Sequence, residues 1–163
     1  MPSLRTETVL PLAPEALFPF FADAANLEKI TPRSLRFQIL TAQPIDMKEG
    51  TLIDYRIRIS GIPQHWRTRI ALWNPPHAFA DEQIKGPYRR WFHTHRFEAC
   101  PEGTMMVDQV DYTLPFGFMG KLAHPLIRRQ LKKIFSYRSE ALGNYLKIPD
   151  GKGIISGPIE LSD

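Results

Sequence analysis

The chain has 163 residues, enough for one domain and too few for two independent cores. At 43% hydrophobic, 23% charged and 11% aromatic, its composition is that of an ordinary globular protein, and no apolar stretch is long enough to span a membrane. The net charge of +4 is unevenly placed: Lys121 to Lys147 carries seven cations against Glu140 alone, so that segment is +6 and the remainder −2. A solvated helix face accounts for these cations, and contact with nucleic acid and weak contact with an anionic membrane surface are the other uses open to them. The N-terminus lacks the pattern of a secretory signal, and a single cysteine, Cys100, cannot close an internal disulfide. The expected location is cytoplasmic.

Leu4 to Leu12 alternates as a strand, with Leu4, Thr6, Thr8 and Leu10 on one face. Pro14 then opens a short helix that Pro19 interrupts, and a second short helix, about Ala24 to Ile30, ends before Thr31-Pro32. From there the chain turns to strands: Leu35 to Thr41, Thr51 to Ser60, Gln64 to Trp73, Ala78 to Lys85, Tyr88 to Ala99 and Thr104 to Leu114. Their clean alternation is the antiparallel signature, and the short connections favour a meander. Phe116-Gly117-Phe118-Met119-Gly120 reads as a mobile link into a last helix from about Pro125 to Lys147.

Taking 100° per residue, Ile127, Leu131, Ile134, Phe135, Leu142 and Tyr145 fall within about 50° of one line on that helix. Such an amphipathic helix needs an apolar surface to cover it, and the sheet is the one on offer. The fold expected is therefore α+β: a curved antiparallel sheet of about seven strands around a long C-terminal helix, with two short helices after the first strand. One helix cannot fill the concave face of so large a sheet, so a cavity is left. The domain is placed at 1–147, and 148–163, rich in Gly and Pro, reads as an irregular tail.

This order of elements resembles the helix-grip fold of the superfamily of START proteins, polyketide cyclases and birch-pollen allergens (SRPBCC). More specific are Phe79-x-Asp81-x-Gln83-x-x-Gly86-Pro87, Trp91-x-His93-x-His95-x-Phe97 and Asp108-x-Val110-x-Tyr112-x-Leu114-Pro115-Phe116-Gly117. They resemble the cyclase/dehydrase-like branch, which includes domains fused to nucleotide-sugar epimerase-like proteins. The sequence has no Gly-x-Gly-x-x-Gly run and no room for a Rossmann domain beside the one described. The resemblance implies an internal cavity for lipids, sterols, quinones or polyketides. It implies no reaction, because only some members catalyse and they share no catalytic triad.

Alternation sets Trp91, His93, His95 and Phe97 on one inward face, Phe79, Asp81 and Gln83 on another, and Asp108 with Met106, Val110 and Tyr112 on a third. Arg138 projects only about 20° from Leu131, inside the apolar stripe of the helix. A charge there is costly unless it is paired, so a carboxylate partner or the pocket is expected beside it.

The residues expected to line the ligand site are Ile53, Tyr55, Ile57, Trp66, Thr68, Ile70, Asp81, Gln83, Trp91, Phe97, Val110, Tyr112 and Arg138. Three readings of the polar set stay open: internal bracing of sheet against helix, a polar anchor for a small hydrophobic ligand (a lipid, quinone or aromatic polyketide), and a cyclase or dehydratase using His93 or His95 with Asp108. For the chain as a whole, a non-catalytic domain that meets a protein partner through its outer surface is a further reading.

His-x-His puts two imidazoles on one strand face about 7 Å apart. With Asp81 or Asp108 that makes three donors, yet such spacing arises often by chance, and no metal or other cofactor is expected. Cys100, Ser136 and Ser139 sit in no nucleophile motif. No nucleic-acid partner is expected, since alternation puts Trp66 and Trp91 in the core. The oligomeric state is left open.

Overall fold

A strand side chain points to one face and its neighbour to the other, so alternating apolar and polar residues make a sheet with one dry face and one wet face. The computed structural model describes residues 1–115, 117–146, 148 and 154–162, without the side chains of 117–121. Its elements run β1 (Ser3–Leu10), α1 (Pro14–Ala22), α2 (Asn26–Lys29), a 3-10 turn (Arg33–Leu35), β2 (Gln38–Ile39), β3 (Leu52–Ile59), β4 (Ile62–Asn74), β5 (Ala78–Lys85), β6 (Arg90–Cys100), β7 (Gly103–Thr113), α3 (Gly117–Tyr145), β8 (Ile155–Ser156) and β9 (Glu160–Ser162). The nine strands form one sheet in the order β2-β3-β4-β5-β6-β7-β1-β8, with β9 also on β1. This is the α+β helix-grip arrangement: an antiparallel meander, closed at one side by β1, with α3 as the long C-terminal helix.

Burial follows the alternation closely. In β1, Leu4, Thr6, Thr8 and Leu10 are buried while Glu7 is exposed. In β3 the buried set is Ile53, Tyr55 and Ile57, and in β4 it is Trp66, Thr68 and Ile70. Two register shifts in the β4–β5 ladder, at Arg67/Thr68 and Ile70/Leu72, break its regularity. Irregularities of this kind bend a strand and increase its twist, which helps the sheet to curl. On α3, Leu131, Phe135 and Leu142 are buried, and Arg129, Lys132, Lys133 and Glu140 face solvent.

Four expectations change. The strand expected over Leu35 to Thr41 shrinks to Gln38–Ile39, because Leu35 ends a 3-10 turn and Arg36 takes a left-handed conformation (φ 43°) that breaks extension. The last helix begins at Gly117, eight residues ahead of Pro125, so the supposed link from Gly117 onward is helical; Phe116 lies outside the described residues. Pro125 lies inside the helix, where it removes one backbone donor. Tyr145, at the very edge of the apolar stripe, is 47% exposed.

The tail also differs from the irregular extension expected of it. Thr8 and Val9 pair with Ser156 and Ile155, and Ser3 to Arg5 pair with Ser162 to Glu160. β1 would otherwise present an open edge, and these two short strands cover it.

Three apolar clusters result. One joins α1 to the end of the sheet and α3 through Phe18, Phe21, Phe79, Phe97, Met106 and Leu142. A second lies on β3 and β4 around Tyr55, Trp66 and Ile70, and a third packs Leu131 and Phe135 on Leu4, Val110 and Tyr112. The polar residues singled out from the sequence lie where these clusters meet.

Candidate functional site

Between the sheet, the two short helices and α3 lies a cavity of about 190 Å³. Its sheet wall comprises Ile53, Tyr55, Ile57, Trp66, Thr68, Ile70, Asp81, Trp91, His93 and His95, and Arg138 reaches it from α3. The other walls were not read from the sequence as lining: Phe20, Phe21, Leu27 and Ile30 from the α1–α2 region, Phe37, Met47 and Tyr88 from loops, and Leu131, Ile134 and Phe135 from α3. The clue was present in Phe20-Phe21 followed by Leu27 and Ile30, whose helical spacing turns apolar residues inward.

Four expected lining residues sit elsewhere. Gln83 folds back over the β5–β6 turn, donating from Nε2 to the Tyr88 carbonyl at 2.6 Å and accepting from the Tyr88 amide at 3.2 Å. Gly86 leaves the room for this, since a Cβ there would collide with the Gln83 side-chain amide. Phe97 points inward but meets Phe18, Phe21 and Phe79, so its surroundings are solid. Val110 and Tyr112 are covered by Leu131 and Phe135 with Leu4, and the Tyr112 hydroxyl lies 3.0 Å from His124 Nε2.

Strand register assembles the polar floor. Asp81 on β5 pairs with His93 on β6, and His95 on β6 pairs with Asp108 on β7. Asp81 Oδ2 lies 3.8 Å from His93 Nδ1 and 3.4 Å from His95 Nε2. On the opposite side, Asp108 Oδ1 lies 3.3 Å from His93 Nε2 and 2.6 Å from His95 Nδ1. Each imidazole therefore stands between two carboxylates. Arg138 comes down from α3, its Nε 3.2 Å from Asp108 Oδ2 and its Nη2 3.3 Å from His95 Nδ1.

Packing holds these groups in place. His95 stacks on Phe79, with centroids 4.0 Å apart and planes at 16°, and its ring centre is 3.8 Å from that of His93. The Arg138 guanidinium lies 5.6 Å from the centre of the Phe21 ring on α1. Thr68 Oγ1 is 3.1 Å from Asp81 Oδ1 and 3.0 Å from the Glu82 carbonyl, donating to one at a time. Asp108, expected as an inward catalytic carboxylate, is 1% exposed and stands behind the imidazoles, off the cavity wall. Its Oδ1, His93 Nε2 and Arg138 Nε have no well-aligned hydrogen bond, so charge attraction more than hydrogen-bond geometry holds the cluster.

The family described as polyketide cyclase / dehydrase and lipid transport matches residues 10–135. The chain belongs to this family. It is thereby a ligand-binding domain of the SRPBCC superfamily. Solved structures share its fold at low identity. A protein of Thermus thermophilus is 17% identical with a TM-score of 0.72, the match covering 91% of this chain and 99% of that one. The ginseng major latex-like protein 151 of Panax ginseng is 10% identical, with a TM-score of 0.61 and coverage of 88% and 95%. A nucleoside-diphosphate sugar epimerase of Corynebacterium glutamicum is 20% identical with a TM-score of 0.64, and the match covers 88% of this chain but 29% of the epimerase. None of the curated proteins matches the chain.

Within this SRPBCC domain the cluster has a definite charge pattern. Burial works against an ionised Asp108, yet Arg138 first, and the imidazoles after it, hold its carboxyl well below the usual range. Burial likewise opposes the charge of Asp81, and the imidazoles with Thr68 outweigh it, so its pKa is lowered too. His93 goes the other way: burial and then His95 push it down from 6.5 to about 4, against the pull of both carboxylates. With His93 neutral, Arg138 is the main charge that keeps Asp108 ionised.

Two outcomes are expected in stability measurements. Arg138→Met leaves a buried carboxylate without its cation and should cost about 3–5 kcal/mol in urea unfolding; a cost under about 1 kcal/mol would mean that the pair is effectively solvated. Acidification should act earlier than carboxylate titration would. Because His93 binds its proton more weakly folded than unfolded, stability present above pH 6.5 is lost as pH falls towards 4, by about 3 kcal/mol. The lowered carboxylates then remove more below their unfolded values near 4. His93→Gln should flatten the upper part of that curve, and an unchanged slope would count against a buried neutral imidazole.

Proposed function

We propose that the cavity binds a small, mainly apolar molecule with one polar end, of the quinone, aromatic polyketide or short lipid type. The observation that carries this reading is the division of the cavity wall. Aromatic and aliphatic side chains form most of it, and Asp81, His93, His95 and Arg138 make one ionisable region. Burying apolar ligand surface supplies affinity at roughly 25 cal/mol per Å², less the cost of association, and the polar end sets orientation.

Size narrows the choice. At about 190 Å³ the space is near the ~150 Å³ that holds one benzene ring and short of the several hundred that bury a drug-sized molecule. A ligand of one or two rings, or a short acyl segment, is the fit. Trp66 adds a handle: its Nε1 is buried in the cavity wall without a hydrogen-bond partner among the described residues, so a ligand acceptor there would satisfy it.

Native mass spectrometry of the purified protein should reveal a co-purified small molecule or a 1:1 adduct with an added single-ring quinone. Ile134, half-buried on α3, lines the cavity, so Ile134→Trp should fill it and weaken binding at least about tenfold while the fold survives. Absence of any adduct from the unaltered chain would sink the reading.

Catalysis of a cyclisation or dehydration is a second reading, favoured by the 2.6 Å approach of Asp108 Oδ1 to His95 Nδ1. That contact fixes the ring and leaves Nε2 on the cavity side, where a general base would work. Under this reading His95→Asn lowers turnover by about 10²–10⁴ while ligand binding persists. Turnover that survives the substitution would remove His95 from the chemistry.

A further inference from the structure

We propose that Asp81, His93 and His95 form a site for one divalent transition-metal ion, with an open coordination position towards the cavity. One donor atom from each of Asp81, His93 and His95 lies within 4.8 Å of the other two. Two bonds of about 2.1 Å at a tetrahedral angle place their donor atoms about 3.4 Å apart. Asp81 Oδ2 is 3.4 Å from His95 Nε2 and 3.8 Å from His93 Nδ1. The two oxygen–nitrogen separations thus lie within a few tenths of an ångström of the tetrahedral value.

The orientation of the rings argues the same way. Arg138 Nη2 donates to His95 Nδ1 at 3.3 Å, and His95 Nε2 in turn donates to Asp81 Oδ2 at 3.4 Å. A cation on the Asp81 side would take the electron pair of Nε2 in place of that proton, leaving Nδ1 to face Asp108. His93 has Nε2 beside Asp108 and Nδ1 on the side of Asp81. One carboxylate oxygen and two ring nitrogens thus face a common region, the donor set that a bound cation would convert into three bonds. Thr68 occupies Oδ1 of Asp81 and leaves Oδ2 to face the imidazoles.

Asp108 has the role of an outer carboxylate that fixes tautomer and ring orientation in histidine metal sites, here for two rings at once. Phe79 stacks on His95, and Phe135 meets His93 edge-on at 5.6 Å, so neither ring is free to turn away. Arg138 contacts Asp108 and His95 Nδ1, on the side away from Asp81, and offsets only one of the two carboxylates. Two imidazoles and a carboxylate suit Zn²⁺ or Co²⁺ better than Mg²⁺ or Ca²⁺, which prefer all-oxygen shells. His-x-His alone was too common a spacing to carry this; the carboxylate that register brings opposite His93 changes the case. The site stands apart from the reading of the organic ligand, because the test adds a metal ion by itself.

The full chain, freed of metal by a chelator, is titrated with Co²⁺ and then competed with Zn²⁺. One equivalent should bind with visible d–d absorption of a nitrogen–oxygen set, and the ring signals of His93 and His95 should be the imidazole resonances most perturbed. Asp81→Asn and His95→Gln should each weaken binding by more than about 100-fold, and Asp108→Asn by about 10–100-fold. His65→Gln, on an exposed side chain beside Asp54, should leave it unchanged. Absence of binding into the millimolar range, affinity unchanged by Asp81→Asn, or Co²⁺ perturbing His65 in place of the pair would overturn the proposal. The resonance measurement uses the unaltered chain, so a variant that fails to fold does not protect it.

Discussion

A carboxylate that is 1% exposed cannot remain ionised unless its surroundings replace the water it has lost, and Asp108 sets that demand at the centre of this protein. Arg138 meets it from the helix, and the two imidazoles meet it from the neighbouring strand. Each partner is thereby fixed: α3 cannot slide along the sheet without pulling Arg138 off Asp108, and the rings cannot rotate without losing it. Buried pairs of this kind are poor sources of net stability, because desolvation cancels much of the attraction. Their effect is on position. The apolar stripe of α3 would accept several registers on an apolar surface, and a single guanidinium over a single carboxylate favours one of them.

With the helix held there, the shape of the cavity follows from numbers of atoms. Nine strands make more concave surface than one helix can cover, and the two short helices after β1 are too small to cover the rest. Towards β1 and β7 the gap closes, because Leu131 and Phe135 meet Leu4, Val110 and Tyr112. At the α1 end it closes through the ring cluster of Phe18, Phe21, Phe79 and Phe97. Facing β3 and β4 it stays open, and the cavity lies there. The polar cluster borders both regions, with Asp108 in the closed one and Asp81 in the open one.

Much of this was legible because strand geometry has a period of two that ten residues suffice to reveal. The strands from β3 to β7 emerge within a residue or two at most boundaries, and His93 and His95 share an inward face for the same reason that Trp91 and Phe97 do. Arg138 was legible from the helical angle alone. What alternation cannot supply is register. The facing of Asp81 with His93 depends on where the β4–β5 irregularities fall and how the β5–β6 turn closes, and nothing within one strand encodes either. Backbone closure also explains Gln83, whose amide is used by the turn. Pairing of the tail with β1 was hidden for a related reason, since strands of two or three residues have no period to detect.

The two carboxylates flanking the imidazoles are chemically unequal, and that inequality decides what the cavity can receive. Asp108 is dry and matched by Arg138, so it stays an acceptor. Asp81 is 18% exposed in its side chain and lies on the cavity wall, with one oxygen engaged by Thr68 and the other turned to the rings. The face shown to the cavity therefore combines a carboxylate oxygen with the ring nitrogens opposite Asp108. A ligand with a hydroxyl or other donor finds acceptors there, as does a cation, whereas a ligand anion must seek Arg138 past the repulsion of Asp81. For the ligand proposed, an apolar chamber ending in such an edge would discriminate by the sign of the polar end as much as by size, because desolvated mismatches cost more than imperfect apolar contacts.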